Sequence, residues 1–433
     1  MPDDNFVFGL ASTFQLIYPE MPYDVALANA SSIFSSALWK VDIKDAYGTL
    51  TLTEMDAIIG SSGFGKTKGL EQTRRLAKNL FKKLPNFPTT EGITKWLADT
   101  EKSTDGIIVN DEFSRRMKES AVKTYSTGTI EMYSSLYDHN IDDSYTITHG
   151  LQEPRPPYFC VLFATYEHYL PHISDDFFSS GLAGRFNWTF VPHQPVPDQP
   201  KEYHISDTAQ YDLGMTQFDE SESILKCLIQ VMNHRDERII LLLDKQVDPL
   251  YDKVRHYAES LHEQGYLFNK WECDFQFYKR IPEMVLKQAG RYAIGRCIEQ
   301  AIHDKFGNIC ITSNDFNLGW MRIKKSIDYL NDIFQLRREG VVQLQQKSHN
   351  KLPAIYSPTY IAFVLKHYGL MNTTQLQKTV GISDYATFDK YLTTALQQKL
   401  IIEVNKDDIT DVMARKKLGA NNTKTRIWAN TEK

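Results

Sequence analysis

Gly60-Ser61-Ser62-Gly63-Phe64-Gly65-Lys66-Thr67 is the stretch on which the reading of this chain turns. Two glycines with four residues between them, then Lys and Thr, make the phosphate-binding loop pattern. Met55-Asp56-Ala57-Ile58-Ile59 before it is short and largely apolar and reads as a buried strand, and Lys68 to Ala77 after it is helix-compatible throughout. Strand, loop, helix is the context in which glycine N–H groups and the positive end of a helix wrap a polyphosphate. Gly60, Ser61, Ser62, Gly63, Phe64, Gly65, Lys66, Thr67 and Lys68 are therefore the expected nucleotide contacts. Lys66 would reach the β- and γ-phosphates and Thr67 would hold Mg²⁺, so the expected cofactors are ATP and Mg²⁺.

Gly106-Ile107-Ile108-Val109-Asn110-Asp111-Glu112-Phe113 supplies what the metal side of such a site needs, a β-branched run ending in adjacent carboxylates. Asp111 is the expected Mg²⁺ residue and Glu112 the one that polarises the attacking water. Asn110 departs from the apolar residue usual before the Asp. Tyr158 to Thr165 reads as a third buried strand whose polar end, Thr165, would sense the γ-phosphate, against the plainer reading of a strand-end residue. Ser180 to Pro192 is a turn that delivers Arg185 to the start of another apolar strand. In a ring ATPase such an arginine reaches the neighbouring subunit's γ-phosphate; a salt-bridged arginine is the commoner fate.

At 433 residues with 42% hydrophobic and 24% charged, the chain is a multidomain globular protein. No apolar run approaches a membrane span and no secretory signal is visible, and the scattered Cys160, Cys227, Cys273, Cys297 and Cys310 fit neither a zinc site nor a disulfide framework. A reducing, cytoplasmic setting without membrane contact is expected. The net charge of −5 is unevenly spread: Lys351 to Lys433 carries twelve Lys/Arg against seven Asp/Glu, a net +5, leaving −10 for the rest.

Outward from the loop, residues 1–40 read as an N-terminal helical segment, with small and apolar residues at helical spacing over 26–39, and 39–53 as one or two strands. The nucleotide core spans 41–215, its proline-bearing stretch 193–215 a connection. A helical lid subdomain over 216–345 includes a strand or buried turn at 238–244, a helix with Pro282 in its first turn, and a helix from 316 to about 337. Residues 350–433 give three helices and two strands, 400–404 and 424–428, around a loop with Arg415, Lys416 and Lys417. That is a winged helix-turn-helix pattern, expected to meet DNA phosphates with those cations or else to dock a protein.

The order and spacing of 60–67, 106–113 and 181–191 resemble those of AAA+-type P-loop ATPases. The closest likeness is to minichromosome-maintenance-type replicative helicases and the helicase modules of phage, plasmid and archaeal-virus replication proteins. Asp111-Glu112-Phe113 with Met117 looks like that family's Walker B segment. Gly181-Leu182-Ala183-Gly184-Arg185-Phe186 looks like its arginine-finger segment, with Gly184 for the usual Ser and Asn187 for the usual Asp. The resemblance covers about residues 35–330; no family-type N-terminal DNA-binding domain or primase domain is recognisable. It implies an α/β fold, a P-loop NTPase core with a helical lid and a C-terminal winged helix. It also implies a homo-oligomeric ring, a hexamer, acting on DNA. A hairpin at 146–155 would project into the ring channel, with His149 and Arg155 on the nucleic-acid backbone, and Arg291 or Lys287 would be a second sensing cation. The expected function is an ATP-hydrolysing replicative helicase of a mobile element or virus. An initiator-type ATPase that binds or loads at an origin without unwinding is the alternative, and a DNA-binding protein whose nucleotide state only switches assembly is a third.

Overall fold

The computed structural model describes residues 5–45, 48–60, 65–81, 90–111, 129–141, 144–146, 150–167, 170, 181–191, 208–263, 275–349, 358–380, 385–409, 412–418 and 425–431. The chain is mixed α/β and divides into two compact units, Met1–Arg337 and Arg338–Lys433. The segments expected at 1–40, 41–215 and most of 216–345 share the first unit.

That unit opens with α1 (Phe6–Ile17) and α2 (Tyr23–Ser36). The side chain of Asn5 caps α1 by accepting from the Val7 N–H and donates to the Tyr292 carbonyl at 2.8 Å. Residues 25–36 of α2 are buried throughout, and their Ala/Ser composition is what lets a helix lie that close to its neighbours. Then come β1 (Val41–Lys44), β2 (Thr49–Thr51), β3 (Met55–Gly60), α3 (Lys66–Leu80), α4 (Thr90–Ala98), β4 (Asp105–Asp111) and α5 (Thr129–Tyr137). The hairpin β5 (Ser144–Thr146) and β6 (Gly150–Gln152) precedes β7 (Tyr158–Thr165) and β8 (Asn187–Val191). The unit continues with α6 (Ala209–His234), β9 (Ile239–Leu243), α7 (Asp248–Glu263), α8 (Phe275–Arg296), a five-residue helix (Ile298–Ile302), β10 (Cys310–Ile311) and the start of α9 (Ser313–His349).

The central sheet runs β4-β7-β3-β8 with every neighbour parallel. Its strands are nearly continuous apolar runs because a parallel sheet is covered on both faces. A second sheet, β10-β9-β1-β2, pairs β1 in parallel with β9 and antiparallel with β2. Segment 238–244 is thus a strand of a sheet shared with residues 41–51, and the expected lid boundary at 215/216 cuts through this pairing. Two helix limits also differ from expectation. α6 starts at Ala209 behind Thr208, whose hydroxyl donates to Asp212 at 2.8 Å, so 209–215 is helix and not connection. α8 begins at Phe275 with Pro282 inside it, since a proline removes only one hydrogen bond from a 22-residue helix.

Buried charges fasten the helices of 275–333 to the strand that leads into the loop. Glu54, fully buried, accepts from Ser31 (2.7 Å) and Ser35 (3.0 Å) of α2, Asn187 of β8 (2.5 Å) and Gln288 of α8, and pairs with Arg291 at 3.1 Å. Asp56, on β3, accepts from Ser32 and faces Arg322 of α9 at 3.7 Å. Burial, together with the charge of Glu54, pushes the Asp56 carboxyl well above the usual carboxylate range, with Arg322 pulling the other way.

His139 follows α5 at φ 55°, the left-handed residue that ends the helix. Its ring bonds Thr53 at 2.9 Å and the Pro157 carbonyl at 2.7 Å, and stacks on Tyr158. Burial first, then the Lys287 and Arg238 charges, lower its pKa to about 4, against support from the Pro157 carbonyl and Asp42. The unfolded chain takes up a proton near pH 6.5 and the folded one near 4. This group's stabilisation is therefore complete above 6.5 and is lost as pH falls through 4. Urea unfolding at pH 7 and pH 4 should show wild type losing about 3 kcal/mol more than His139→Asn, whose residue tolerates the left-handed conformation. Asp105, which burial raises to about 6, acts in the opposite sense but equally in both proteins.

The second unit holds α10 (Pro358–Tyr368), β11 (Met371–Asn372), α11 (Thr373–Val380), α12 (Tyr385–Gln397), β12 (Ile401–Glu403), α13 (Val412–Lys417) and β13 (Ile427–Asn430). Its core gathers Ile361, Leu365, Leu376, Phe388, Leu392 and Trp428. The strands form a three-stranded sheet, β11-β13-β12, one strand more than the sequence suggests, because Met371-Asn372 pairs with Ile427-Trp428. Arg415, Lys416 and Lys417 lie on α13 and not in a loop. Val412 to Lys417 is a run with helix-formers at most positions, and Leu418 behind it buries against Ile409 and Ile427. Among the described residues of the chain, no helix is long and apolar enough to cross a membrane.

Candidate functional site

The site is assembled where adjacent parallel strands end. Ile59 of β3 is level with Thr165 of β7, and Ala164 of β7 with Asp111 of β4, so Gly60, Thr165 and Asp111 share the C-terminal edge of the sheet. α3 starts at the same edge, the place where α/β sheets bind ligands. Gly60 has no room for a side chain, since a Cβ there would stand 2.6 Å from the Val191 carbonyl oxygen. Gly65 is left-handed at φ 66° and is the residue before the first turn of α3, which only glycine adopts without cost.

Lys66 is 5% exposed. Its ammonium donates to the Gly60 carbonyl at 2.8 Å and lies 5.0 Å from the centre of the Tyr166 ring. Burial lowers its pKa to about 8, against the charges of Glu167 and Asp111, which favour the ammonium. Thr67 and Lys68 are exposed on the first turn of α3, and Lys68 pairs with Glu71 at 3.0 Å. Thr165 is 1% exposed, and the buried Asn110 amide nitrogen finds no hydrogen-bond partner among the described residues. Ser61, Ser62, Gly63, Phe64, Glu112, Phe113, Met117 and His149 lie outside the described residues.

No group of three or more His, Cys, Asp or Glu that could hold a metal occurs among the described residues. Magnesium with a polyphosphate needs no such group: it keeps waters and phosphate oxygens and takes one or two protein oxygens. Asp111 at the strand end and the exposed Thr67 hydroxyl are a donor set of that kind. Sequence reading missed Tyr166 and Glu167, which follow the end of β7 and lie near Lys66; nothing local marks them, because the contact depends on β7 lying beside β3.

The other expected residues lie elsewhere. Arg185 is at the opposite edge, ahead of β8, 7% exposed. It pairs with Asp138 at 2.6 Å, donates to the Gly181 carbonyl at 3.1 Å, and lies 5.8 Å from the Tyr137 ring. Lys287 and Arg291 line the same small cleft with Arg185, Thr53, Glu54 and Tyr137. Lys287 lies 4.1 Å from the Tyr137 ring, while Arg291 is committed to Glu54 and the Leu52 carbonyl. A hairpin, β5–β6, is present, but it ends at Gln152 and not at the expected 155, so Arg155 lies outside it. Its guanidinium donates to the carbonyls of Leu97 (3.0 Å), Asp99 (2.6 Å) and Lys102 (2.7 Å), holding the end of α4. In the second unit, Arg415 stands 3.5 Å from Asp407 and Lys417 is exposed. The exposed Arg426 is held by Glu403 in a two-pronged pair and lies over Trp428.

Compared with known proteins, the chain matches no family model and no curated sequence.

Proposed function

We propose that the chain is an ATP-hydrolysing motor of the AAA+ kind that assembles as a homo-oligomeric ring, a hexamer, and acts on DNA as a replicative helicase of a mobile element or virus. The observation that carries this reading is the shared strand edge. Gly60, Thr165 and Asp111 end three neighbouring parallel strands, and Lys66, the first residue of α3, stands at the same edge with its ammonium on the Gly60 carbonyl. A fixed cation beside a fixed carboxylate suits a polyphosphate with its metal better than it suits an uncharged ligand.

In this reading Lys66 binds the β- and γ-phosphates, and Thr67 and Asp111 hold Mg²⁺, which when bound neutralises charge on the phosphates. Glu112 orients and deprotonates the attacking water, and Thr165 meets the γ-phosphate. Arg185 lies at the far edge of the sheet, as suits a cation that acts on a neighbouring copy, and Lys287, beside it in the same cleft, is the second sensing cation, since Arg291 is held by Glu54. Arg185 would have to exchange Asp138 for the neighbouring copy. The winged helix reading of 350–433, with Lys417 toward DNA phosphate, adds the nucleic-acid contact.

Strand displacement on a forked DNA with ATP and Mg²⁺ tests the proposal. Wild type should unwind, and Glu112→Gln should lower hydrolysis by 10²-fold or more while still binding ATP. Hydrolysis without unwinding would favour the initiator-type reading, and binding without turnover the assembly switch.

A further inference from the structure

We propose that Tyr166 is a positioning residue for Lys66: its ring is the surface on which the ammonium rests at the strand ends, so that the cation is already in place when phosphates arrive. The inference rests on the nucleotide-binding reading and adds a residue that the phosphate-binding pattern does not contain.

Lys66 has lost most of its water, with 5% of the residue exposed. An ammonium carries three donors, and a buried one needs them met or its charge balanced. The Gly60 carbonyl takes one at 2.8 Å. Tyr166 stands one residue beyond Thr165, beside the end of β3, with its ring centre 5.0 Å from Nζ. Within about 6 Å of a ring face, the negative π-cloud attracts a cation without demanding a particular donor direction. Glu167 and Asp111 add opposite charge from the ends of β7 and β4.

The ring has a second property that a carboxylate in its place would lack. A carboxylate bonded directly to the ammonium would have to be displaced by the phosphates and would repel them. A ring attracts the cation more weakly and carries no net charge. The ring thereby helps to hold Lys66 in position without itself adding a charge that the phosphates would have to displace. The ordering that a long lysine side chain would otherwise undergo on binding is reduced accordingly. The turn after β7 thus couples the strand bearing Thr165 to the cation of the loop.

Two measurements test this. Calorimetric titration with ATP and with ADP should give Tyr166→Phe within about twofold of wild type and Tyr166→Leu weaker by roughly 2- to 30-fold for both nucleotides, the range a desolvated cation–ring contact supplies. Equal losses in the Phe and Leu variants would overturn the proposal, because the hydroxyl and not the ring would then matter. So would an unchanged affinity in Tyr166→Leu. The second measurement needs no nucleotide: urea midpoints of wild type, Lys66→Met, Tyr166→Leu and the double variant. The shift caused by Tyr166→Leu should shrink once Lys66 is Met, and equal shifts in both backgrounds would overturn the contact. If wild type binds neither nucleotide while this cycle still shows coupling, the nucleotide-binding reading fails and the ring–ammonium contact stands.

Discussion

Lys66→Ala is expected to weaken ATP binding by about 10²-fold or more, and to do so without destabilising the empty protein. The first half rests on the proposed nucleotide site, in which Lys66 donates to two phosphates and each charge-assisted hydrogen bond would contribute about 1.5–3 kcal/mol. The second half follows from the direction in which the fold moves this group. Burial lowers the Lys66 pKa to about 8, so the native structure disfavours the ammonium relative to the unfolded chain. A folded pKa below the unfolded one means that the unfolded chain binds more protons between about pH 8 and 10.5. Stability therefore rises with pH across that window, and removing the cation relieves a cost at pH 7. Ala is also a better helix former at the first residue of α3. Calorimetry for binding and urea unfolding for stability check the two halves together. A variant that fails to bind because it is unfolded would contradict the account of the site.

Glu54→Ala should have the largest effect on stability of any single replacement discussed, about 3–5 kcal/mol. The side chain is enclosed, and its two oxygens are shared among Ser31, Ser35, Asn187, Gln288 and Arg291. Removing it leaves the Arg291 guanidinium, 1% exposed, without its counter-charge, and strips the acceptor from four donors. A buried cation deprived of its partner costs more than the intact pair contributes, so Glu54→Ala/Arg291→Met should recover much of the loss. Unfolding curves of the three variants and wild type decide it. Near-additive losses would mean that the pair acts independently and that the network does not fasten α8 to β3.

These two residues also mark the limits of sequence reading. Lys66 was legible because its whole context is local: a strand, a glycine turn and a helix start within about 25 residues. The strand at 158–165 and the presence of a hairpin before it were legible for the same reason, since periodicity and turn residues act between near neighbours. Glu54 was not singled out, and Asp56 was passed over inside a strand that reads as largely apolar. Their meaning depends on Arg291 and Arg322, more than 230 residues away in sequence. Arg155 was expected on a hairpin against the nucleic-acid backbone, yet its donors close the end of α4. Which carbonyls an arginine meets is decided by packing and not by the residues beside it.

The sequence by itself determined much of the element order: which strands are fully buried, that Lys66 opens a helix behind a glycine turn, and that Asp111 closes a strand. Hydrophobic period, glycine conformation and helix propensity are short-range properties, and each is written in consecutive residues. Tertiary structure alone decided which strand ends are neighbours, that Tyr166 and Glu167 lie near Lys66, and that 239–243 completes a sheet with 41–51. It alone set Arg185, Lys287 and Arg291 around one cleft. Those outcomes depend on which surfaces exclude water together across one to three hundred residues, and a buried charge acquires its role only when its counter-charge is delivered from the other side of the fold.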